Sequence, residues 1–286
     1  MYVRIDMNEI ELSIIVPVYN SEKYLLKCIN SILKKSSYQN YEIVVAENNS
    51  EEEETFVYYN TISEMDARIK VVYWKGEGGF NYSAINNFAA KSATGEYFLL
   101  LNNDIEVISE DWLQEMLGYC QRQEVGIVGA KLYYPDHTIQ HAGVVLGMGG
   151  IAGHILCQAS GDEPGYNGRL VNVQDMTAVT AACMMVKKSV YEEVQGLDES
   201  FKVAFNDIDF CMKVREKGYL VVFTPYAELY HYESKSRGLE DTPEKQMRFA
   251  GEIKKFQEKW EAELKKGDPY YNPNLSLQEG DCSLRV

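Results

Sequence analysis

The chain has 286 residues, 45% hydrophobic and 12% aromatic, which supports a buried core and excludes a disordered polymer. A formal net charge of −15 leaves no basic field to release counterions from a phosphate backbone, so nucleic acid is not expected as a partner. Six scattered cysteines form no C-x-x-C pair, and neither a zinc site nor a disulfide framework is expected.

The N-terminal "MYVRIDMNEIELS" has no apolar stretch of signal-peptide length, and no later run approaches the roughly 20 residues that span a bilayer. A soluble cytoplasmic protein is the expectation. "LSIIVPVYN" (12–20) reads as a buried strand closed by Pro17 and Asn20, followed by Leu25, Ile29, Ile32 and Leu33 at helical spacing. "YEIVVAENNS" (41–50) and "RIKVVYW" (68–74) are further strands, with an acid-led helix between them. "NYSAINNFAAKSA" (81–93) has helical spacing, and "GEYFLLLNND" (95–104) is the fourth strand. Such alternation predicts an α/β fold, a mostly parallel central sheet with helices on both faces. Ligands bind beyond the carboxyl ends of such strands, so the polar endings "PVYN", "AENNS" and "NND" are expected to share one edge.

From about residue 112 come a helix ("DWLQEMLGYCQ"), a strand ("VGIVGAKLYY"), a glycine-rich region (143–168) and the apolar "MTAVTAACMMVKKSVYEEV". "FNDIDFCMKVREKG" then reads as a helix capped by Asn206 and ended before Gly218, with Asp207 and Asp209 in its first turn. Residues two apart on a helix point about 200° away from each other, so only one of these acids can enter a given site. "LVVFTPYAELYH" is the last strand. "KGEGGF" (75–80) matches neither a P-loop nor a dinucleotide fingerprint and reads as a turn. His137 and His141 have the spacing of two metal ligands on one helix face, but Pro135, Asp136 and Gly143 oppose a helix, and a loop beside an acceptor cleft is expected instead.

"IIVPVYN", "VVAENNS", "NYSAINNFAAKSATGEYFLLLNNDIEV", "FNDIDFCMKVREKGY" and "HYESKSRG" together, from about Leu12 to Gly238, resemble the family-2 glycosyltransferases in kind and order. The resemblance implies the GT-A fold and an inverting, nucleotide-sugar-dependent transferase of the type that builds bacterial cell-surface or polymer glycans. It implies a catalytic domain over 1–239, with a nucleotide-binding part at about 10–110 and an acceptor and catalytic part at about 111–239. Residues 240–286 are left as a C-terminal helix and tail.

For the site, the resemblance implies that Asp104 and His231 bind Mn²⁺ or Mg²⁺, with Asn102 standing where the family has the first acid of an Asp-x-Asp. It gives Asp207 the role of general base, with Asn206 in place of the family's glutamate and Asp209 as a supporting residue. A helix N-terminus favours the carboxylate form that a base needs. Pro17, Tyr19, Asn20, Glu47, Asn81, Asn86, Asn102 and Asn103 are the expected nucleotide contacts, though capping and turn formation explain the asparagines equally well. Ser234, Ser236 and Arg237 form an expected lid over the diphosphate, Arg237 offering a phosphate-matching fork.

The expected function is transfer of a hexose from a UDP- or dTDP-sugar to a hydroxyl of a glycan or lipid-linked saccharide. Two alternatives stand beside it. One is a nucleotide-sugar-binding protein that has lost catalysis, suggested by Glu47, Asn102 and Asn206. The other is a sugar nucleotidyltransferase, which the glycine-free "PVYNSEK" loop disfavours. In the last helix Phe249, Ile253, Phe256, Trp260 and Leu264 form an apolar stripe expected to pack on the catalytic domain or on a second subunit. Residues 240–266 carry seven acidic and seven basic side chains, so peripheral association with the inner face of the cell membrane is a further expectation.

Overall fold

Strand β1 (Leu12–Val18) sends successive side chains into two different apolar layers, and this division runs through the whole protein. Ile15 joins one layer with Val44, Ala46 and Leu100, whereas Ile14 and Val16 join the other with Ile43, Val45, Leu99 and Leu101. The computed structural model describes residues 11–20, 22–76, 79–232 and 242–285.

Along the chain, β1 is followed by α1 (Glu22–Lys35), β2 (Tyr41–Asn48), α2 (Glu53–Met65), β3 (Ile69–Trp74), α3 (Tyr82–Ala90), β4 (Tyr97–Leu101) and β5 (Ile105–Val107). Next come α4 (Trp112–Cys120), β6 (Val125–Tyr133), β7 (Ile139–His141), β8 (Val144–Leu146), β9 (Ala152–His154), β10 (Gln174–Met176) and β11 (Cys183–Lys187). The chain closes with α5 (Lys188–Glu193), α6 (Asn206–Glu216), β12 (Leu220–His231), α7 (Pro243–Lys259) and α8 (Glu261–Lys266).

The main sheet has the order β10-β12-β6-β11-β4-β1-β2-β3, with β5 beside β12 and β7 beside β6. β1 runs parallel to β2 and β4, β2 to β3, and β6 to β12, while β11 lies antiparallel between β4 and β6. Helices α1, α2 and α4 cover one face through Leu25, Ile29, Ile62, Trp112 and Met116. Helices α3, α5, α6 and α7 cover the other through Ile85, Tyr191, Phe210 and Phe256. The parallel strands therefore finish their carboxyl ends at one edge, where the loops carrying Tyr19, Asn49 and Asn102 meet.

The stripe on α7 packs within this chain. Phe256 and Trp260 are buried, and the Phe256 ring lies 5.3 Å from that of Phe205 and 6.3 Å from that of Phe201. Burial of each such side chain is worth about 1.5–3 kcal/mol. The segment after α8 also returns to the core: the Leu156 N–H donates to the Gly280 carbonyl at 2.7 Å, and Tyr271, Leu275 and Cys282 are buried. Residues 242–285 thus pack on the core, Phe256, Trp260, Tyr271, Leu275 and Cys282 joining its apolar layer. Among the described residues, no helix is long and apolar enough to cross a membrane.

Candidate active site

β4 ends at Leu101, and the chain turns through Asn102 and Asn103 before β5 begins at Ile105. β5 pairs antiparallel with the end of β12, His231 facing Ile105, and the Tyr232 N–H donates to the Asp104 carbonyl at 3.0 Å. This ladder brings the buried side chains of Asp104 and His231 together, with Nε2 of His231 3.1 Å from Oδ1 of Asp104. On the far side of the ring, Nδ1 of His231 donates to Oε1 of Gln140 at 2.8 Å. The ring hydrogen thus sits on Nδ1, and the Nε2 lone pair faces the site. The Asn102 amide nitrogen, a donor, lies 3.2 Å from that Nε2.

Asp104 Oδ1 is buried and accepts no hydrogen bond. A carboxylate oxygen and an imidazole lone pair confronting each other at this distance form an acceptor-on-acceptor contact that a divalent cation relieves, so the pair fits Mn²⁺ or Mg²⁺. Among the described residues, no three His, Cys, Asp or Glu side chains converge on one point. The remaining coordination positions are left to other oxygens.

Asp207 is the second residue of α6, rather than the first after a capping asparagine. Phe205, in the left-handed region at φ 62°, precedes the helix, so Asn206 is its first residue and not its cap. The Asn206 amide instead donates to the Val203 carbonyl at 2.9 Å, fixing the turn into the helix. Asp207 Oδ1 accepts the Ile208 N–H at 2.8 Å and Oδ2 accepts the Ala181 N–H at 3.3 Å. Asp209 points the other way. It is fully buried, accepting from Trp260 Nε1 at 2.9 Å and lying 2.7 Å from Lys259 Nζ.

Two cavities meet at Asp207. The first, of about 540 Å³, is lined by Asn102, Asn103, Asp104 and His231, by Pro17 and Tyr19 at the end of β1, and by Lys245 and Arg248 of α7. The second, of about 950 Å³, lies between the β8–β9 region and the C-terminal segment. Val203, Asn206 and Asp207 line both.

Four of the expected nucleotide contacts are occupied elsewhere. Asn20 Oδ1 accepts the N–H groups of Glu51 and Glu52 at 2.9 and 3.3 Å, tying the β1 and β2 loops together. Glu47 is buried and accepts the Ser50 N–H. Asn81 caps α3 by accepting the Ala84 N–H at 3.1 Å, and Asn86 turns its buried amide to the Tyr82 carbonyl at 2.8 Å. None of the four lines the smaller cavity. His137 sits in a turn at φ 67° and His141 in β7, so they share no helix. Ser234, Ser236 and Arg237 lie outside the described residues.

Gln140, Lys245, Arg248 and Glu252 escape sequence reasoning. Glu252, buried on α7, accepts the N–H groups of Lys202, Val203 and Ala204 at 2.8, 3.1 and 3.1 Å, holding the segment that leads into α6. In the sequence it is one acid in an evenly charged helix.

Residues 13–195 match the family model described as glycosyl transferase family 2. The chain belongs to that family. The uncharacterized protein y4gI of Sinorhizobium fredii is 48% identical over 95% of this chain, and the O-antigen biosynthesis protein RfbC of Myxococcus xanthus is 38% identical over 96%. The chain spans only 30% and 21% of the length of those two proteins. Among solved structures, the mannosyltransferase PcManGT of Pyrobaculum calidifontis, in complex with GDP-Man and Mn²⁺, superposes with a TM-score of 0.62 at 16% identity, covering 88% of this chain and 64% of its own. GalNAc-T7 with UDP, GalNAc and Mn²⁺ gives 0.69 at 14% identity, covering 90% and 50%. At these identities the likeness is one of fold, the GT-A fold of this family 2 member.

Proposed function

We propose that this family 2 protein moves a hexose from a nucleoside-diphosphate sugar to a hydroxyl of a glycan or lipid-linked saccharide by single displacement with inversion. The observation that carries the reading is the position of Asp207 in the wall common to two cavities, one of which contains the Asp104–His231 pair. The smaller cavity takes the donor and the larger one the acceptor.

Asp104 and His231 would hold Mn²⁺ or Mg²⁺, which when bound neutralises charge on the departing diphosphate. Lys245 and Arg248 add positive charge to the same cavity. Asp207, its carboxylate oriented by two backbone N–H groups, takes the proton of the acceptor hydroxyl as that oxygen attacks the anomeric carbon. The bond from that carbon to the diphosphate oxygen breaks on the opposite face, and the nucleoside diphosphate leaves. The metal- and nucleotide-bearing fold neighbours, and the O-antigen role in the name of RfbC, support this reading. UDP- and dTDP-sugars are the donors to screen first. A lipid-linked acceptor would place the reaction at the inner face of the cell membrane.

The test is Asp207→Asn, assayed for transfer and for nucleotide binding across a panel of UDP-, dTDP- and GDP-sugars with Mn²⁺. Transfer is expected to fall by roughly 10²–10⁴ while nucleotide affinity is kept. Transfer at the wild-type rate would remove Asp207 from the chemistry.

A further inference from the structure

The two cavities differ in charge. The donor cavity contains Lys245 and Arg248, whereas the charged residues among those described around the larger cavity are Asp207, Glu279 and Asp281, without a lysine or arginine. Glu279 and Asp281 come from the C-terminal segment, far in sequence from the rest of the wall. They are held in place because Leu277 and Gly280 accept hydrogen bonds from Gly149 and Leu156 at 2.8 and 2.7 Å, beside β9. Close approach is required there: a Cβ on Gly280 would stand 3.0 Å from the His154 carbonyl oxygen. The N–H and hydroxyl of Ser283 hold the exposed Asp281 carboxyl below its ordinary range, so it stays ionised.

Another part of the lining is apolar. Phe205 and Phe249 stack at 5.8 Å with 18° between their planes, and Phe249 remains 37% exposed although large and aromatic. A ring face open to a cavity suits the C–H face of a pyranose. Gln158, Gln278 and His154 add hydrogen-bonding groups to the lining. The buried His141 is kept neutral by desolvation and accepts the Thr180 N–H on Nε2 at 3.3 Å, so its Nδ1–H is directed to Nδ1 of His154 at 3.0 Å.

We infer that the larger cavity is an acceptor subsite for an uncharged saccharide, in which Phe249 supplies the stacking face and Glu279 and Asp281 exclude uronates and phosphates. This rests on the donor and acceptor reading above. It deepens that reading by naming the acceptor's chemistry: any phosphate that links the acceptor to a lipid must lie outside the cavity.

The experiment measures saccharide binding by ligand-observed NMR with the full chain. The probes are octyl glucoside, galactoside, mannoside and N-acetylglucosaminide, each compared with its 6-uronate and 6-phosphate. At least one neutral glycoside is expected to bind, and its anionic counterparts to bind roughly tenfold more weakly or worse. The double variant Glu279→Lys, Asp281→Lys should narrow that gap by about tenfold. Phe249→Ala should weaken the neutral glycoside. Melting curves confirm that each variant is folded. Equal or tighter binding of the anionic members, an unchanged gap in the double variant, or no binding of any glycoside would overturn the inference. Failure of the donor reading would appear separately, as loss of Mn²⁺-dependent nucleotide binding.

Discussion

Oε1 of Glu252 accepts the backbone N–H of Lys202 at 2.8 Å, and with the neighbouring bonds to Val203 and Ala204 it makes one carboxylate the anchor of the segment preceding Asp207. Glu252→Gln replaces one acceptor oxygen by an amide donor that faces N–H donors. At least one of these partly buried N–H groups is then left without its partner, at a cost of about 1 kcal/mol. Because a displacement of the base by about 1 Å can cost on the order of 10² in rate, kcat is expected to fall by about that factor with KM for the donor nearly unchanged. Steady-state kinetics beside a melting curve tests this, and a pure KM effect would contradict it.

The alternation of apolar runs with helical spacing made the parallel half of the sheet legible, and with it the common edge where Tyr19 and Asp104 meet. The direction of β11 was not legible, since an apolar run such as "CMMVK" looks the same whether it pairs parallel or antiparallel. Asn81 and Asn86 have residue types that suit both a ligand contact and a local helix contact, and the structure shows their hydrogen bonds to Ala84 and Tyr82. Gln140 and Glu252 act across separations of 91 and about 50 residues, which no local pattern encodes. The same holds for Glu279 and Asp281, whose wall exists only because the chain returns to β9.

Gln140→Ala removes the acceptor that fixes the His231 hydrogen on Nδ1. Loss of such a partner behind a ligating histidine typically costs 10–100-fold in metal affinity. Mn²⁺ binding followed by electron paramagnetic resonance should show a weakening of about that size, without a comparable change in nucleotide binding in the absence of metal. Unchanged Mn²⁺ affinity would count against His231 as a ligand.

Asn102→Asp acts in the opposite direction. It replaces the amide that now donates toward Nε2 of His231 by a second carboxylate next to Asp104. Greater ligand charge tightens binding of a hard cation, so half-saturation by Mn²⁺ should move to lower concentration. The metal-free variant should be less stable than the wild type, because two carboxylates then repel each other. Calorimetry with and without Mn²⁺ measures both, and stability that does not depend more strongly on metal would refute the prediction.

Asp198 gives a stability signal in acid. Partial burial works against its carboxylate, but the Ser200 hydroxyl and N–H and the Lys259 ammonium prevail and bring its pKa from 3.8 to about 2. A folded-state value below the unfolded one means that the unfolded chain binds the proton more tightly. This contribution is therefore present above about pH 4 and is lost as the pH falls toward 2. Asp198→Asn should flatten the slope of melting temperature against pH across that window and lower the melting temperature at neutral pH. An identical acid slope in both proteins would show that Asp198 is not linked to folding.

Trp260 and Asp209 join the C-terminal helix to the helix that carries Asp207. Asp209 Oδ1 takes the indole N–H at 2.9 Å and the Lys259 ammonium at 2.7 Å, while its Oδ2 is buried without a partner. Desolvation raises the Asp209 pKa in spite of these two donors. Trp260→Phe removes one donor to the carboxylate and should raise it further. A raised folded-state value means that the folded protein binds the proton more tightly, so stability falls as pH rises from the unfolded value through the folded one. The variant should accordingly lose about 1–3 kcal/mol at neutral pH and less near pH 4, where the acid form needs no second donor. Chemical denaturation at the two pH values distinguishes this from simple loss of ring volume, which would destabilise the protein equally at both.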